Sequence, residues 1–168
     1  MPVQRLNHAV LYVRNLDRSV AFYTEALGFR VVHNMPGRAS FLQAEGSTND
    51  HDLGLFVIGS SAGASQAGRS TVGLYHLAWE VDTLAELKRI AAVLADRSSL
   101  VGASDHGSTK ALYAHDPDGL EFEDSWLVPA PLLTADETIR TVALDIDAEI
   151  ERYGADTQGG IGVSIAAS

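Results

Sequence analysis

Apolar and polar positions along this chain spell one order of elements twice. The segment LNHAVLYV (6–13) predicts a strand that places Leu6, His8, Val10 and Tyr12 on one face. NLDRSVAFYTEALGF (15–29) then follows helical spacing, with Asn15 or Asp17 placed to cap its start and Gly28 placed to end it in the left-handed conformation. RVVHNM, ASFLQAE and HDLGLFVIG read as three further strands, separated by the turns PGR and GSTND. Residues 59–71, GSSAGASQAGRST, are rich in Gly, Ala and Ser and read as a flexible connector.

The pattern then restarts. GLYHLAWEV (73–81) predicts a strand and DTLAELKRIAAVLADR (82–97) a helix capped by Asp82 or Thr83. SLVGASD, TKALYAHD and LEFEDSWLV supply three more strands. The shift that carries His8 onto His76 also carries Leu6 onto Leu74, Val13 onto Val81 and Leu16 onto Leu84. Each half therefore reads βαβββ, about 3–59 and 72–128, an internal repeat of two like modules within one domain over 1–130. Beyond it, 131–168 reads as one C-terminal helix over 134–154, with Ile139, Val142, Leu144, Ile146 and Ile150 available to pack on the domain or across a dimer, and a loose tail.

Composition narrows the classes. The 168 residues carry a formal net charge of −10, which disfavours nucleic acid and anionic membranes as partners. No apolar run reaches the roughly 20 residues that cross a bilayer, and MPVQRLNHAV lacks the pattern of a signal peptide. The expectation is a soluble, cytoplasmic protein. With no cysteine in the chain, thiolate catalysis and Cys-bound zinc drop out.

The chemistry-bearing residues sit at related places in the two halves. The first strand of each carries a histidine, His8 and His76, and the last strand carries His51 in one half and Glu121 or Glu123 in the other. Modules related by approximate twofold symmetry would bring these positions together. Two neutral imidazoles and one carboxylate are the donor set of a non-haem Fe(II) centre, and Mn²⁺, Zn²⁺ or Ni²⁺ accept the same donors. Unpaired in a core, each such group would cost roughly 1–3 kcal/mol. Read singly, a strand histidine is more often a hydrogen-bonded core or surface residue, and His33, with no matched partner, reads as surface. Trp79, Trp126, Phe41 and Phe56 read as core aromatics or pocket walls.

Three segments, LNHAVLYVRNLDRSVAFYTEALGFRVV, GLYHLAWEV and DPDGLEFE, resemble the vicinal oxygen chelate superfamily, which includes glyoxalase I, bleomycin- and fosfomycin-resistance proteins and extradiol dioxygenases. The first holds the D-x-x-x-x-F-Y helix of that superfamily as Asp17, Phe22 and Tyr23. The third holds its DPDGN-x-x-E turn and strand, with Leu120 where asparagine is common. The resemblance implies an α+β fold in which two βαβββ modules form a metal-enclosing open barrel of mixed sheet. It also implies Glu123, rather than Glu121, as the ligand beside His8 and His76, and homo-oligomers in many members.

Among those members the chain is most similar to small extradiol dioxygenases of the catechol 2,3-dioxygenase kind. That similarity implies Fe(II), O₂ and a catechol-like aromatic diol, with His51 as an acid/base near O₂ and Tyr113 and His106 on the substrate. The chemistry fits: an imidazole can stabilise an anionic oxygen and pass on a proton, and a phenol can hydrogen-bond a bound phenolate. His115 shares the strand face of Tyr113 and has no assigned role. Two other functions share the fold. A glyoxalase-like lyase or isomerase would use the fourth position as a ligand or base, often glutamate. A metal-free antibiotic-binding protein would lack the His8, His76 and Glu123 set.

Overall fold

A computed structural model describes residues 2–3, 5–67, 70–134 and 140–160. The chain divides into two compact units, 1–65 with 116–119, and 66–115 with 120–168.

In the first unit, β1 (Ala9–Val13) leads into α1 (Leu16–Leu27), then β2 (Arg30–Met35), β3 (Ala39–Gln43) and β4 (Leu53–Val57). These strands form one open mixed sheet in the order β1-β4-β3-β2, with β1 parallel to β4. Asn15 caps α1 by accepting from the Arg18 N–H, and Gly28 ends it at φ 72°, a conformation that favours glycine. Leu16, Ser19, Phe22, Tyr23 and Ala26 recur at helical spacing and are buried, as are Leu11, Val13, Leu53 and Leu55 of the sheet.

The second unit repeats the order with β5 (Leu77–Glu80), α2 (Leu84–Asp96), β6 (Leu100–Asp105), β7 (Thr109–His115) and β8 (Glu121–Leu127). It ends in a short β9 (Val142–Ala143) and α3 (Ile146–Tyr153). Its open sheet runs β5-β8-β7-β6-β9. Thr83 caps α2 by accepting from the Glu86 N–H, and Leu84, Leu87, Ile90 and Leu94 form the buried stripe. Trp126 is fully buried, a core aromatic as expected, and its indole N–H donates to the Thr157 carbonyl at 3.1 Å.

Two strand-level expectations change. His8 and His76 lie just before β1 and β5 rather than within them, and His51 lies two residues before β4. The face shared by Val10 and Tyr12 is exposed, at 52% and 69%, and His8 is exposed too; the packed face is that of Leu11 and Val13. His8 is therefore not desolvated, and no buried-polar cost calls for a metal there.

The C-terminal segment also departs from the sequence reading. Of the expected helix over 134–154, residues 135–139, Ile139 included, lie outside the described residues. Val142 and Ala143 extend the sheet, paired with Asp105 and Ser104. The helix starts only at Ile146, where Asp145 accepts from the Ala148 N–H. Thr141 and Val142 are β-branched and suit an added strand, while an aspartate cap marks a later helix start. Residues 155–160 are anchored, with the Ala85 and Gly159 N–H groups bonded to the carbonyls of Ala155 and Asp82. No described helix is long and apolar enough to cross a membrane.

The D-x-x-x-x-F-Y and DPDG motifs meet inside the first unit. The Tyr23 hydroxyl donates to Asp116 Oδ2 at 3.2 Å, and Asp116 Oδ1 accepts from the Asp118 N–H at 2.8 Å. Asp118 in turn pairs with Arg14 at 2.9 Å. Gly119 completes the turn at φ 84°. Tyr23→Phe is expected to lower unfolding stability by about 1 kcal/mol, the net value of one buried hydrogen bond; a urea midpoint shift at unchanged slope would measure it.

Candidate metal centre and its neighbours

In the second unit, sheet register determines which side chains meet. Glu123 of β8 lies opposite Ala78 of β5 and opposite Tyr113 of β7. Directly opposed residues share a face, so Tyr113 stands beside Glu123. His76, one residue before β5, brings Nε2 to 3.3 Å from Glu123 Oε2. Glu123 Oε1 accepts from the Ser125 hydroxyl, two residues on along the same face. Glu121 lies opposite His115 instead, at 3.6 Å. The two glutamates that share strand parity thus differ in partner.

His106, just beyond β6, brings Nε2 to 2.9 Å from the Tyr113 hydroxyl. Burial, then the Glu123 carboxylate beside it, pushes the Tyr113 phenol up to about 12. On the opposite face of β8, Asp124 is buried; that burial, then the neighbouring Glu123 charge, pushes its carboxyl up to about 8.

The first unit brings His8 and His51 together, with ring centroids 4.4 Å apart, and sets the edge of Phe41 against His51 at 5.0 Å. Phe41 also meets Phe56 and His33, and His33 is exposed, the surface residue expected of it. His8 Nδ1 lies 2.7 Å from the Asn7 amide oxygen, which can only accept. Neutral His8 therefore keeps its lone pair on Nε2, the tautomer a ligand needs. His51 Nδ1 lies 3.2 Å from Asp50 Oδ2, and this hydrogen bond is the main reason the Asp50 carboxyl sits below its usual range. Asp52 holds the preceding turn by accepting from the Ala44 N–H, Ser47 and Asn49.

Register also corrects the repeat. The shift relating His8 to His76 places Val10 on Ala78; Val10 pairs with Gly54 and Ala78 with Glu123. The first-unit counterpart of Glu123 is thus Gly54, and that of Glu121 is Asp52. His51 is not matched to either glutamate.

Among the described residues, no three His, Asp or Glu side chains form a group that could hold a metal ion as they stand. The His76 and Glu123 pair nevertheless suits one. Ligand atoms on adjacent octahedral positions, with bonds near 2.1 Å, stand roughly 3 Å apart, close to the observed 3.3 Å. His76 Nδ1 is buried without a hydrogen-bond partner among the described residues. Sequence reading missed Ser125; strand parity, two residues beyond Glu123, was the available signal.

Residues 5–123 match the model of the Glyoxalase/Bleomycin resistance protein/Dioxygenase superfamily. The chain belongs to this superfamily. A catechol-2,3-dioxygenase of Bacillus subtilis (strain 168) is 29% identical over 153 residues, which are 89% of this chain and 52% of that protein. Biphenyl-2,3-diol 1,2-dioxygenase 3 of Rhodococcus globerulus is 32% identical over 116 residues, 68% of this chain and 59% of that protein. The chain thus spans little more than half the length of these relatives. A glyoxylase/bleomycin resistance protein/dioxygenase domain from Frankia sp. EAN1pec superposes with a TM-score of 0.62 at 21% identity, covering 74% of this chain and 92% of that one. Solved structures of the same superfamily fold include a lactoylglutathione lyase and a fosfomycin resistance protein, so the fold alone does not choose the reaction.

Proposed function

We propose that this protein is a metal-dependent extradiol-type dioxygenase that opens a catechol-like aromatic diol with O₂ beside its hydroxyls. The observation that carries this reading is the His106–Tyr113 hydrogen bond standing next to Glu123. It places a phenol and an imidazole, both able to move a proton, alongside a carboxylate donor. The two dioxygenase relatives support the same substrate class.

In this reading His8, His76 and Glu123 hold Fe(II), with Mn(II) or another divalent ion able to take the same donors. The metal, when bound, supplies the redox centre at which diol and O₂ react. The remaining work falls to side chains of this chain. Tyr113 accepts a hydrogen bond from a substrate hydroxyl and takes part in removing its proton, His106 accepts from Tyr113, and His51 donates a proton to oxygen. Gly54 speaks against the lyase alternative: where a fourth carboxylate ligand would mirror Glu123, the first unit carries no side chain.

His51→Ala is expected to keep the metal and lose about 100-fold or more in kcat, within the usual contribution of a general acid or base. Metal content by atomic absorption, with oxygen uptake on the same sample, separates the two. Loss of metal together with activity would make His51 a fourth ligand and return weight to the lyase reading.

A further inference from the structure

We propose that the Arg140–Thr141 segment is a positioning strap that fixes His106 as the Nδ1–H tautomer and so turns an accepting Nε2 toward the Tyr113 hydroxyl. The inference rests on the reading above for its catalytic meaning, but on geometry within the second unit for its substance. His106 Nδ1 lies 3.1 Å from the Arg140 carbonyl oxygen and 3.2 Å from Thr141 Oγ1. A hydroxyl can donate or accept, but a carbonyl oxygen can only accept. A lone pair on Nδ1 facing that carbonyl would be repelled, so Nδ1 carries the proton. The lone pair of neutral His106 then lies on Nε2, 2.9 Å from the Tyr113 hydroxyl. In that tautomer Nε2 can only accept from Tyr113, whose single proton is shared between it and the neighbouring Glu123 carboxylate.

Two independent attachments hold the strap where this requires. The Arg140 guanidinium donates to Asp105 Oδ2, through Nε at 3.0 Å and through Nη2. Asp105 is itself buried and fixed by the Gly107 N–H at 2.8 Å and Lys110 Nζ at 2.7 Å. Next along the chain, Val142 and Ala143 pair with Asp105 and Ser104 of β6. Extending that antiparallel register by one residue sets Thr141 opposite His106. Arg140 is thus a positioning residue: it acts by holding its own carbonyl against His106.

Histidine labelled with ¹⁵N reports the tautomer directly, because protonated and unprotonated ring nitrogens resonate far apart. The experiment uses the whole chain with Zn(II), a diamagnetic ion, and assigns His106 by its absence in His106→Gln. The expected result is a protonated Nδ1 and an unprotonated Nε2. Arg140→Ala is expected to shift His106 toward the Nε2–H form that solvated imidazoles prefer and, with Fe(II), to lower kcat about 10-fold. Thr141→Val keeps the carbonyl and is expected to keep the tautomer. A wild-type His106 protonated on Nε2, or an Arg140→Ala protein with the wild-type tautomer, would overturn the proposal. The wild-type spectrum decides even if Arg140→Ala fails to fold. Because the tautomer is read without turnover, failure of the strap and failure of the dioxygenase reading are distinguishable.

Discussion

Glu123→Ala is expected to abolish metal retention and, with it, all turnover. Glu123 offers Oε2 to the same space as His76 Nε2, 3.3 Å away, while Ser125 donates to its other oxygen and fixes the carboxylate's rotation. Losing a partner that only orients a ligand typically costs 10–100-fold in metal affinity. Losing the ligand itself should cost more than about 100-fold. Glu121→Ala serves as the control: that carboxylate faces His115, and its loss is expected to leave metal content unchanged. Equilibrium dialysis against Fe(II) under argon, followed by metal analysis, reads both variants. A stoichiometric metal in Glu123→Ala would move the ligand assignment to Glu121.

The largest effect on stability is expected at Lys110. Its side chain is fully buried, with Nζ 2.7 Å from Asp105 Oδ1 and 3.0 Å from Glu149 Oε2. Asp105 also holds Arg140, so this one ammonium ties β7 to β6, to the strap and to α3. Lys110→Met keeps the volume but leaves Glu149 facing a buried space without a counter-charge. Breaking a buried pair this way costs about 3–5 kcal/mol. Replacing both partners, Lys110→Met with Glu149→Leu, is expected to recover most of that loss, since an apolar pair of similar size is often as stable. Urea unfolding of the single and double variants measures the difference.

The same cluster gives a pH dependence. Burial opposes ionisation of Asp105, but hydrogen bonds from Lys110, Arg140 and the Gly107 N–H outweigh it and hold the carboxyl below its ordinary value. A carboxyl lowered in the folded state adds stability above the unfolded value and loses it as pH falls through the folded one. The wild-type protein is therefore expected to lose part of its stability below about pH 4, and Lys110→Met to lose less over the same range.

Much of this fold is legible in sequence because its signals are local. Asn15 and Thr83 both cap helices, Gly28 ends α1, and the buried stripes of both helices follow helical spacing. The matched positions of His8 and His76, each one residue before the first strand of its unit, were legible from the repeat. What depends on strand pairing was not. Parity cannot separate Glu121 from Glu123, whereas register puts one opposite His115 and the other opposite Tyr113. Nor could spacing show that Gly54, not His51, is the counterpart of Glu123. The apolar pattern predicts too long a C-terminal helix because Val142, Leu144 and Ile146 satisfy it whether or not the backbone is helical. Only the pairing of Val142 with Asp105 decides it. The partners of His106 were hidden for the same reason, since Arg140 and Thr141 reach it from a strand added far along the chain.

The central claim is tested most directly by loading the protein with Fe(II) under argon, then mixing it with O₂ and a panel of catechols while recording oxygen uptake and visible absorbance. The expected result is oxygen consumed in step with a coloured, ring-opened product from at least one diol, one O₂ per ring. Full metal occupancy with no oxygen uptake on any diol would contradict the dioxygenase reading.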